Sequence, residues 1–314
     1  MKGKRPRVCV VGSFVLDLVF KVDHRPGPGE TMLARDFGMF LGGKGFNQAV
    51  AARRLGADAS VVGRIGRDQF GDMFMAKLEQ EGIDSSRVTR DAEEGTAIAS
   101  PVIDAGGENS IIAAPRANMR VTTADVEAAT DAIAAADILM LQFEIPVATS
   151  RRAAEIARKH DTLVLLDPAP VEHGFERFAA PMDYIVPNET EAHMLTGRMT
   201  PEEAAAVLLP ETRRGVVISL GEQGAMAVDS AALDRFPAHK VKVVDTTGAG
   251  DAFRAGLAVM LAQGKPLDDA VRFANACGAL ACTIMGAEPS MPKLDAVERL
   301  LATDSLSFEG RGRE

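Results

Sequence analysis

The sequence predicts an α/β fold, in which a mostly parallel central sheet is flanked by helices and carries a small β lid. The chain has 314 residues, of which 46% are apolar, and this is ample for a buried core. Short β-branched apolar runs alternate along it with longer segments rich in alanine and leucine. That alternation is typical of strands and helices in a parallel sheet. Two extended segments that break the alternation are assigned to the lid.

The first strand is predicted at Arg7 to Gly12, a short apolar run that ends in glycine. Ligands of open α/β sheets bind outside the carboxyl ends of strands, so Asp17 just beyond it is a candidate substrate contact. An ordinary turn or strand-end aspartate explains this position equally well. The first lid segment is Leu18 to Leu41, where the turn Pro26 to Gly29 separates two extended stretches.

Gly42-Gly43-Lys44-Gly45 precedes an alanine-rich helix predicted at Phe46 to Leu55. The spacing from Gly38 to Lys44 matches a phosphate-binding P-loop, but glycine occupies the next position, where that motif needs Ser or Thr to hold magnesium. The P-loop interpretation is therefore rejected. Lys44 and Asn47 are candidate hydrogen-bonding groups for a polar ligand, and the alternative is that they are surface residues of a helix start.

Strands and helices then alternate up to residue 228. The predicted strands are Ala59 to Gly66, Asp137 to Gln142, Thr162 to Asp167, Tyr184 to Val186, Gly215 to Leu220 and Ala225 to Val228. The predicted helices are Gln69 to Glu81, Ala124 to Ala135 and Ala148 to Lys159. A hairpin of Thr96 to Ile103 with Asn109 to Ala114 extends the lid. Glu144 follows a strand end, so it is a second polar group directed at the ligand crevice.

Val244 to Phe253 is predicted to run from a strand through a glycine turn into a helix at Asp251 to Gln263. Gly248 and Gly250 let the backbone adopt unusual torsion angles and let a ligand approach closely. The helix start offers free N–H groups and the positive end of its dipole to an anion. Asp251 is either a first-turn carboxylate favoured by that dipole or a general base beside an anion site. The second glycine favours the base, because capping alone does not need it.

Two long helices are predicted after this turn, at Ala252 to Ala262 and Leu267 to Ile284, and the polar tail from Asp304 is expected to be loose. The net charge of −9 argues against a nucleic-acid or anionic-membrane surface. The three cysteines lack zinc-ligand spacing and indicate a reducing compartment. The apolar run Val8 to Val11 is too short for a signal peptide or membrane span, so a soluble cytoplasmic protein is expected.

Two motifs resemble the signatures of one family. Gly42-Gly43-Lys44-Gly45-Phe46-Asn47-Gln48-Ala49 resembles the first signature of the ribokinase (PfkB-type) family of carbohydrate and nucleoside kinases, and Asp245-Thr246-Thr247-Gly248-Ala249-Gly250-Asp251-Ala252-Phe253 resembles the second. The resemblance extends from Val8 to about Pro292, and Gln48 favours the ribokinase branch. It implies one kinase domain over residues 1–314, with lid segments at about 18–41 and 96–114.

The resemblance implies ATP-dependent phosphorylation of a primary hydroxyl of a small, ribose-like sugar, with Asp251 as general base and the amides of Gly248, Ala249 and Gly250 facing the transferred group. The residues implied to hold the sugar are Asp17, Gly42, Gly43, Lys44, Asn47, Glu144 and Asp251. Those implied to contact ATP are Asn188, Ser219, Gly221, Gly224 and Asn275. Glu191 is placed in the Mg²⁺ region, although Asn188 and Glu191 alone would be interpreted as helix capping. A monovalent cation, usually K⁺, is implied at Asp245, Thr247, Gly286 and Ser290, and a homodimer through the β lid is possible.

One position departs from the family pattern. Ribokinases generally have Gly-Ser-Ile-Asn-Ala-Asp after the first strand, whereas this chain has Gly12-Ser13-Phe14-Val15-Leu16-Asp17. Valine cannot make the hydrogen bonds that asparagine gives to a ribose hydroxyl, so another sugar or a nucleoside remains open as the substrate. A non-catalytic sugar- or nucleotide-binding sensor is a further alternative. An oxidoreductase is disfavoured, because no Gly-x-Gly-x-x-Gly follows the first strand.

Overall fold

In the computed structural model, which describes residues 5–171, 178, 180 and 182–309, the strands form two sheets. Within these residues, nine strands form the main sheet, in the order β13-β12-β11-β10-β9-β8-β1-β4-β5. Its strands are β1 Arg7–Val11, β4 Asp58–Gly66, β5 Asp84–Asp91, β8 Ile138–Leu141, β9 Leu163–Leu166, β10 Met182–Ile185, β11 Thr212–Ser219, β12 Ala225–Val228 and β13 Leu233–Phe236. Neighbours from β11 to β5 pair in parallel, whereas the two pairs at the other edge, β11–β12 and β12–β13, are antiparallel, so only β12 runs in the opposite direction.

The interior strand β1 shows why this sheet is buried on both faces. Val8 and Val10 belong to one hydrophobic core, whereas Cys9 and Val11 belong to the other. Successive side chains of a strand point to opposite faces, so an uninterrupted apolar run serves two layers of helices. The described helices are Lys44–Arg54, Gln69–Glu81, Thr123–Ala128, Thr130–Ala135, Val147–Lys159, Glu189–Thr196, Pro201–Leu208, Ala249–Ala262, Leu267–Ala281, Ala287–Ser290 and Leu294–Glu309. The predicted α/β fold class is confirmed.

The lid is a second sheet, of strand order β3-β2-β6-β7. Its strands are β2 Val15–Lys21, β3 Asp36–Gly42, β6 Ala97–Ile103 and β7 Asn109–Ala114. Only three residues separate the end of β1 from the start of β2, and β3 ends next to the helix Lys44–Arg54, so the lid is joined directly to the carboxyl edge of the main sheet. Several apolar side chains on it remain exposed, among them Phe37 (50%) and Ile112 (78%).

Four local predictions differ from the structure. The predicted helix at 124–135 is divided at Ala129, and the strands Asp84–Asp91 and Leu233–Phe236 were not predicted, because both lie at sheet edges and carry many polar residues. The segment before Gly248 is not a strand: the Val244 amide donates to the Cys282 carbonyl rather than to a sheet neighbour. In the tail, the backbone is helical to Glu309, whereas the remaining residues, 310–314, lie outside the described part. No helix among the described residues is long and apolar enough to span a bilayer.

Candidate active site

Polar side chains meet at the carboxyl edge of the main sheet. Ser13 follows β1, Glu144 follows β8, and Asp167 follows β9, and these three strands are neighbours. The helices Lys44–Arg54 and Ala249–Ala262 begin at the same edge and pack against each other. Because parallel strands end together, residues far apart in the sequence converge in one crevice.

Asp251 lies in the first turn of the helix Ala249–Ala262 and is only 6% exposed. Its Oδ2 accepts a hydrogen bond from Asn47 Nδ2 at 2.9 Å, and its Oδ1 accepts one from Gln48 Nε2 at 3.1 Å. Burial raises the pKa of Asp251, and Asp167 adds to the rise, whereas Lys44 and the Asn47 hydrogen bond lower it. A carboxylate whose pKa is raised and which is held in place by amide side chains is suited to accept a proton.

The turn that leads into this helix leaves the amides of Gly250 and Asp251 available, whereas the Ala249 amide, predicted to face the transferred group, donates to the Thr246 carbonyl at 3.1 Å. Gly248 has φ +79° and no side chain caps the helix, so the N–H groups at Gly250 and Asp251 have no partner in the helix or from a cap. A Cβ on Gly248 would lie 2.7 Å from Met291 Cε and 3.1 Å from the Ala287 Cα. The conformation and the packing therefore both require glycine at 248.

Lys44 is tied to the same crevice from two directions. Its Nζ lies 3.1 Å from Asp167 Oδ2, and its backbone N–H donates to Glu144 Oε2 at 2.9 Å. Burial lowers the pKa of Lys44, but Asp167, Asp251 and Glu144 outweigh that effect, and the net shift is upward. Lys44 is therefore a fixed positive charge amid buried acids.

Glu144 and Asp17 form an acidic wall on the lid side. Glu144 Oε2 also accepts a hydrogen bond from Ser13 Oγ, and burial raises the pKa of Glu144. Burial and the nearby Glu144 raise the pKa of Asp17 to about 7. A Cβ on Gly42 would lie 2.8 Å from Asp17 Oδ2, so the acid lies directly against this glycine. Next to it, Gly43 has φ +92°, and a Cβ there would lie 2.7 Å from the Val15 amide.

Asn47 has a buried side-chain oxygen without a hydrogen-bond partner in the described part of the chain. The residue is 4% exposed, its Nδ2 is bound to Asp251, and its Oδ1 has no hydrogen-bond partner among the described residues. A buried carbonyl oxygen without a partner costs about 1–3 kcal/mol, which a bound hydroxyl donor would offset. Its placement beside Asp251 favours a ligand hydroxyl there.

Asn188 and Glu191 form a capping box at the start of the helix Glu189–Thr196. The Glu191 amide donates to Asn188 Oδ1 at 2.7 Å, and the Asn188 amide donates to Glu191 Oε2 at 2.8 Å. The two residues therefore cap the helix, as the local sequence indicates. The helix start is also linked to the crevice, because Arg254 Nη2 donates to Glu191 Oε2 at 2.9 Å. Capping and ligand contact are compatible, since Glu191 Oε1 makes no hydrogen bond with the described residues.

Most of the residues predicted to contact ATP lie near the carboxyl end of β11 and in the turn that follows it. Ser219 forms an isolated parallel bridge with Asn188. Gly221 and Gly224 bound the turn between β11 and β12, both with positive φ, and a Cβ on Gly224 would lie 2.6 Å from the Ala238 amide. Asn275 is 7% exposed, and its Nδ2 donates to the carbonyl of Phe236 at 3.1 Å. The Asn275 side chain therefore holds the start of the loop that follows β13.

Hydrogen bonds to the Asp245 carboxylate connect the two loops that were predicted to bind a monovalent cation. Its Oδ1 accepts from the Thr247 amide at 2.9 Å and from the Thr247 hydroxyl at 2.7 Å, and its Oδ2 accepts from the Gly286 amide at 2.8 Å. Burial acts to raise the pKa of Asp245, but these hydrogen bonds outweigh it, and the pKa is lowered. Ser290 Oγ donates to the Ala287 carbonyl at 2.7 Å. The loops at 245–247 and 286–290 thus form one anionic unit.

Three residues of the crevice were not predicted from the sequence: Asp167, Gln48 and Arg254. Asp167 is fully buried and accepts from Gln48 Nε2 at 3.0 Å as well as from Lys44. The rule of strand ends that selected Glu144 also applies to Asp167, so this residue was predictable. Gln48 was used only as a family marker, and Arg254 has no sequence signal beyond its position three residues after Asp251.

A buried carboxylate at an open helix start, beside fixed amide side chains and a lysine, fits a phosphotransferase that acts on an alcohol. The pfkB family carbohydrate kinase model matches residues 5–294. The chain therefore belongs to the pfkB family of carbohydrate kinases, and it is a sugar kinase of the ribokinase type.

Relatives agree with this assignment over nearly their whole length. The chain is 37% identical over 302 residues to a ribokinase of Bacillus subtilis, covering 94% of this chain and 99% of that protein. It is 31% identical to a deoxyribokinase of Salmonella typhi, covering 94% and 98%. The solved structure of Arabidopsis thaliana ribokinase complexed with ribose and ATP superposes with a TM-score of 0.85 at 31% identity, covering 95% and 99%. The predicted family is confirmed.

Proposed function

We propose that this protein transfers the γ-phosphoryl group of ATP to the primary hydroxyl of ribose or a closely related pentose, with Asp251 as general base. The observation that carries the proposal is the buried Asp251 carboxylate, held by Asn47 and Gln48 beside the open helix start. The relatives support the substrate class, since they include a ribokinase and a deoxyribokinase. A pure sensor has no need of such a base.

The reaction follows from this arrangement. As the sugar oxygen forms its bond to the γ-phosphorus, its proton passes to Asp251, and the bond from that phosphorus to the β–γ bridging oxygen breaks. ADP leaves with the electron pair of that bond. Proton acceptance of this kind contributes roughly 10²–10⁴ in rate. The amides of Gly250 and Asp251 would face the developing charge, and such electrostatic stabilisation would supply much of the remainder.

The sugar would lie between the lid and the main sheet. Asp17 and Glu144 offer acceptors, Asn47 offers its unpartnered Oδ1, and Lys44 offers a donor. Gly42 and Gly43 let the chain pack closely beside these groups, because a Cβ would lie 2.8 Å from Asp17 Oδ2 at Gly42 and 2.7 Å from the Val15 amide at Gly43. ATP would bind along Asn188, Ser219, the turn Gly221 to Gly224 and the loop held by Asn275.

The residues present fit a magnesium ion that is bound mainly by the substrate. Among the described residues no three His, Cys, Asp or Glu side chains form a metal cluster. Mg²⁺ usually needs only one or two protein carboxylates together with phosphate oxygens and water, and Glu191 would hold it through Oε1. When bound, Mg²⁺ supplies a charge clamp on the phosphates. K⁺ would lie at the unit formed by Asp245, Thr247, Gly286 and Ser290.

The setting of the enzyme is also part of the proposal. Residues 1–314 would act as one kinase domain in the cytoplasm, with the lid at about 18–41 and 96–114. The exposed apolar residues of the lid, such as Phe37 and Ile112, favour a homodimer formed through this sheet.

An ATP-consumption assay with a panel of sugars and nucleosides tests the proposed function. We expect turnover with ribose or 2-deoxyribose, and formation of the 5-phosphate in the product. Turnover with a nucleoside alone would transfer the assignment to a nucleoside kinase of the same family. Binding of a sugar without any ATP consumption would establish the sensor instead.

Chelation and cation exchange test the metal requirements. EDTA should abolish activity, because the transferred phosphoryl group needs a charge clamp, and K⁺ should raise the rate through the Asp245 unit. Rates are measured with excess Mg²⁺ in sodium, potassium and a bulky organic cation at equal ionic strength. Full activity in EDTA would refute the magnesium requirement, and equal rates in the three cations would refute the K⁺ effect.

The raised pKa of Asp17 predicts a pH dependence of sugar binding. With a pKa of about 7 instead of 3.8, the carboxyl is mostly protonated below pH 7 and loses its charge-assisted hydrogen bonds to the sugar. The Kd for the sugar, measured by calorimetry without ATP, should therefore rise about tenfold per pH unit below pH 7. In Asp17→Asn the Kd should be high, and it should not depend on pH between 5.5 and 8. The same slope in both proteins would show that Asp17 is not the titrating group.

Val15 is expected to set the substrate preference. It lies two residues before Asp17 on β2, so the two side chains point to the same face. Val15→Asn should shift kcat/KM towards ribose over 2-deoxyribose and nucleosides, since a matched polar partner is restored. Val19→Asn on the same face, about 13 Å further along the strand, is the control and should leave the preference unchanged. Strong native preference for ribose, unaltered by Val15→Asn, would mean that Val15 does not face the sugar.

A further inference from the structure

Arg254 is a buried cation next to the transfer site, and the proposed mechanism leaves it without a role. It lies one turn after Asp251 on the helix Ala249–Ala262 and is 3% exposed. Long helical side chains lie over the turn that precedes them, so this guanidinium reaches back towards the helix start. There, a Cβ on Gly250 would lie only 2.6 Å from Arg254 Nη1.

Two of the three guanidinium nitrogens are fixed by the protein. Nε donates to the Val186 carbonyl at 2.8 Å. Nη2 donates to Glu191 Oε2 at 2.9 Å and lies 3.2 Å from Asp167 Oδ1. Nη1 has no hydrogen-bond partner among the described residues, and it lies on the side of Gly250. A guanidinium carries its donors in a rigid fork, so fixing two nitrogens also fixes the direction of the third.

We propose that Arg254 is a further catalytic residue, whose Nη1 donates a hydrogen bond to the phosphoryl group during its transfer. This inference rests on the proposed function, because it places the transfer at Asp251. Arg254 forms and breaks no covalent bond; it stabilises the negative charge on the equatorial oxygens beside the amides of the helix start.

The surroundings explain how a buried arginine is kept ready. Removing a guanidinium from water is costly unless acids compensate it, and Asp167 and Glu191 do so in the resting protein. No reorganisation is then needed when charge develops on the phosphoryl group. The same arrangement accounts for Gly250, because any side chain at this position would occupy the place of Nη1.

Arg254→Ala tests the proposal, with Arg64→Ala as matched control. Arg64 lies on β4 and also pairs with two acids, Asp91 and Asp125, but it forms no hydrogen bond with the described crevice residues. We expect Arg254→Ala to lower kcat about 10²-fold with little change in the KM for ATP, the loss typical of one transition-state donor. Its affinity for MgADP with aluminium fluoride should fall by a similar factor. A kcat within threefold of the Arg64→Ala value would overturn the proposal. Arg254 would then serve only as a structural ion-pair partner of Asp167 and Glu191.

Gly250→Ala is a second test that keeps the charge and does not depend on how Arg254→Ala folds. Alanine favours a helix more than glycine does, which offsets part of the cost of displacing the guanidinium, so the Tm should change little. Its Cβ would displace Nη1, and kcat should fall about tenfold. Native kcat in this variant would also overturn the proposal. If the native protein phosphorylates no sugar, the proposed function fails; if it does so and only Asp251→Asn is impaired, the Arg254 inference alone fails.

Discussion

Asp251→Asn should lower kcat at least 10²-fold while the affinity for ATP stays largely intact. Asparagine keeps the shape of the side chain but cannot accept the hydroxyl proton, and base catalysis is worth roughly 10²–10⁴ in rate. The raised pKa of Asp251, caused by burial, gives the carboxylate the basicity that asparagine lacks. The measurements are kcat at saturating sugar and the Kd for ATP.

The matched control for this variant is Asp268→Asn. Asp268 is also an acid in the first turn of a helix, Leu267–Ala281, but it is exposed and lies outside the crevice. It therefore experiences the helix dipole without the catalytic surroundings. We expect its kcat to remain within twofold of native. Near-native turnover in Asp251→Asn, or equal losses in the two variants, would show that Asp251 is only a first-turn carboxylate.

Gly248→Ala should lower kcat/KM about 10²-fold through displacement of the amides at the helix start. The substitution costs about 1–2 kcal/mol at φ +79°, and its Cβ would collide with Met291 Cε at 2.7 Å. The turn must shift to relieve this contact, and a misplacement of about 1 Å at a catalytic group can cost 10²-fold in rate.

Gly264→Ala separates the collision from the backbone cost. Gly264 follows the other end of the same helix with φ +72°, and a Cβ there would meet nothing within 4 Å. Both variants should lose a similar amount of stability from the left-handed backbone, which thermal unfolding measures. Only Gly248→Ala should lose activity beyond a factor of about two. Equal activities in the two variants would mean that the position of the turn does not matter for transfer.

The sequence alone determined the elements whose signals are local. The helix Gln69–Glu81 was predicted with its observed bounds. In the structure, Asp68 caps its first turn through the Gly71 amide and Gly82 ends it with φ +66°, and both signals are local. The buried strands were predictable from their apolar runs, since a parallel sheet covered on both faces demands them. The two glycine motifs identified the family for a similar reason: each encodes a tight turn before a helix within a few residues.

Only the tertiary structure decided which side chains meet. Asp167 and Lys44 are 123 residues apart, and Arg254 reaches a carbonyl 68 residues away. A local pattern cannot specify such partners, because they depend on the order in which the strands lie side by side. The segment at Val244 shows the same limit: its β-branched residues predict a strand, but its amide bonds to Cys282 outside the sheet. Local propensity favours an extended chain here. Whether an extended segment forms a strand depends on whether a neighbouring strand is present to accept and donate its backbone hydrogen bonds.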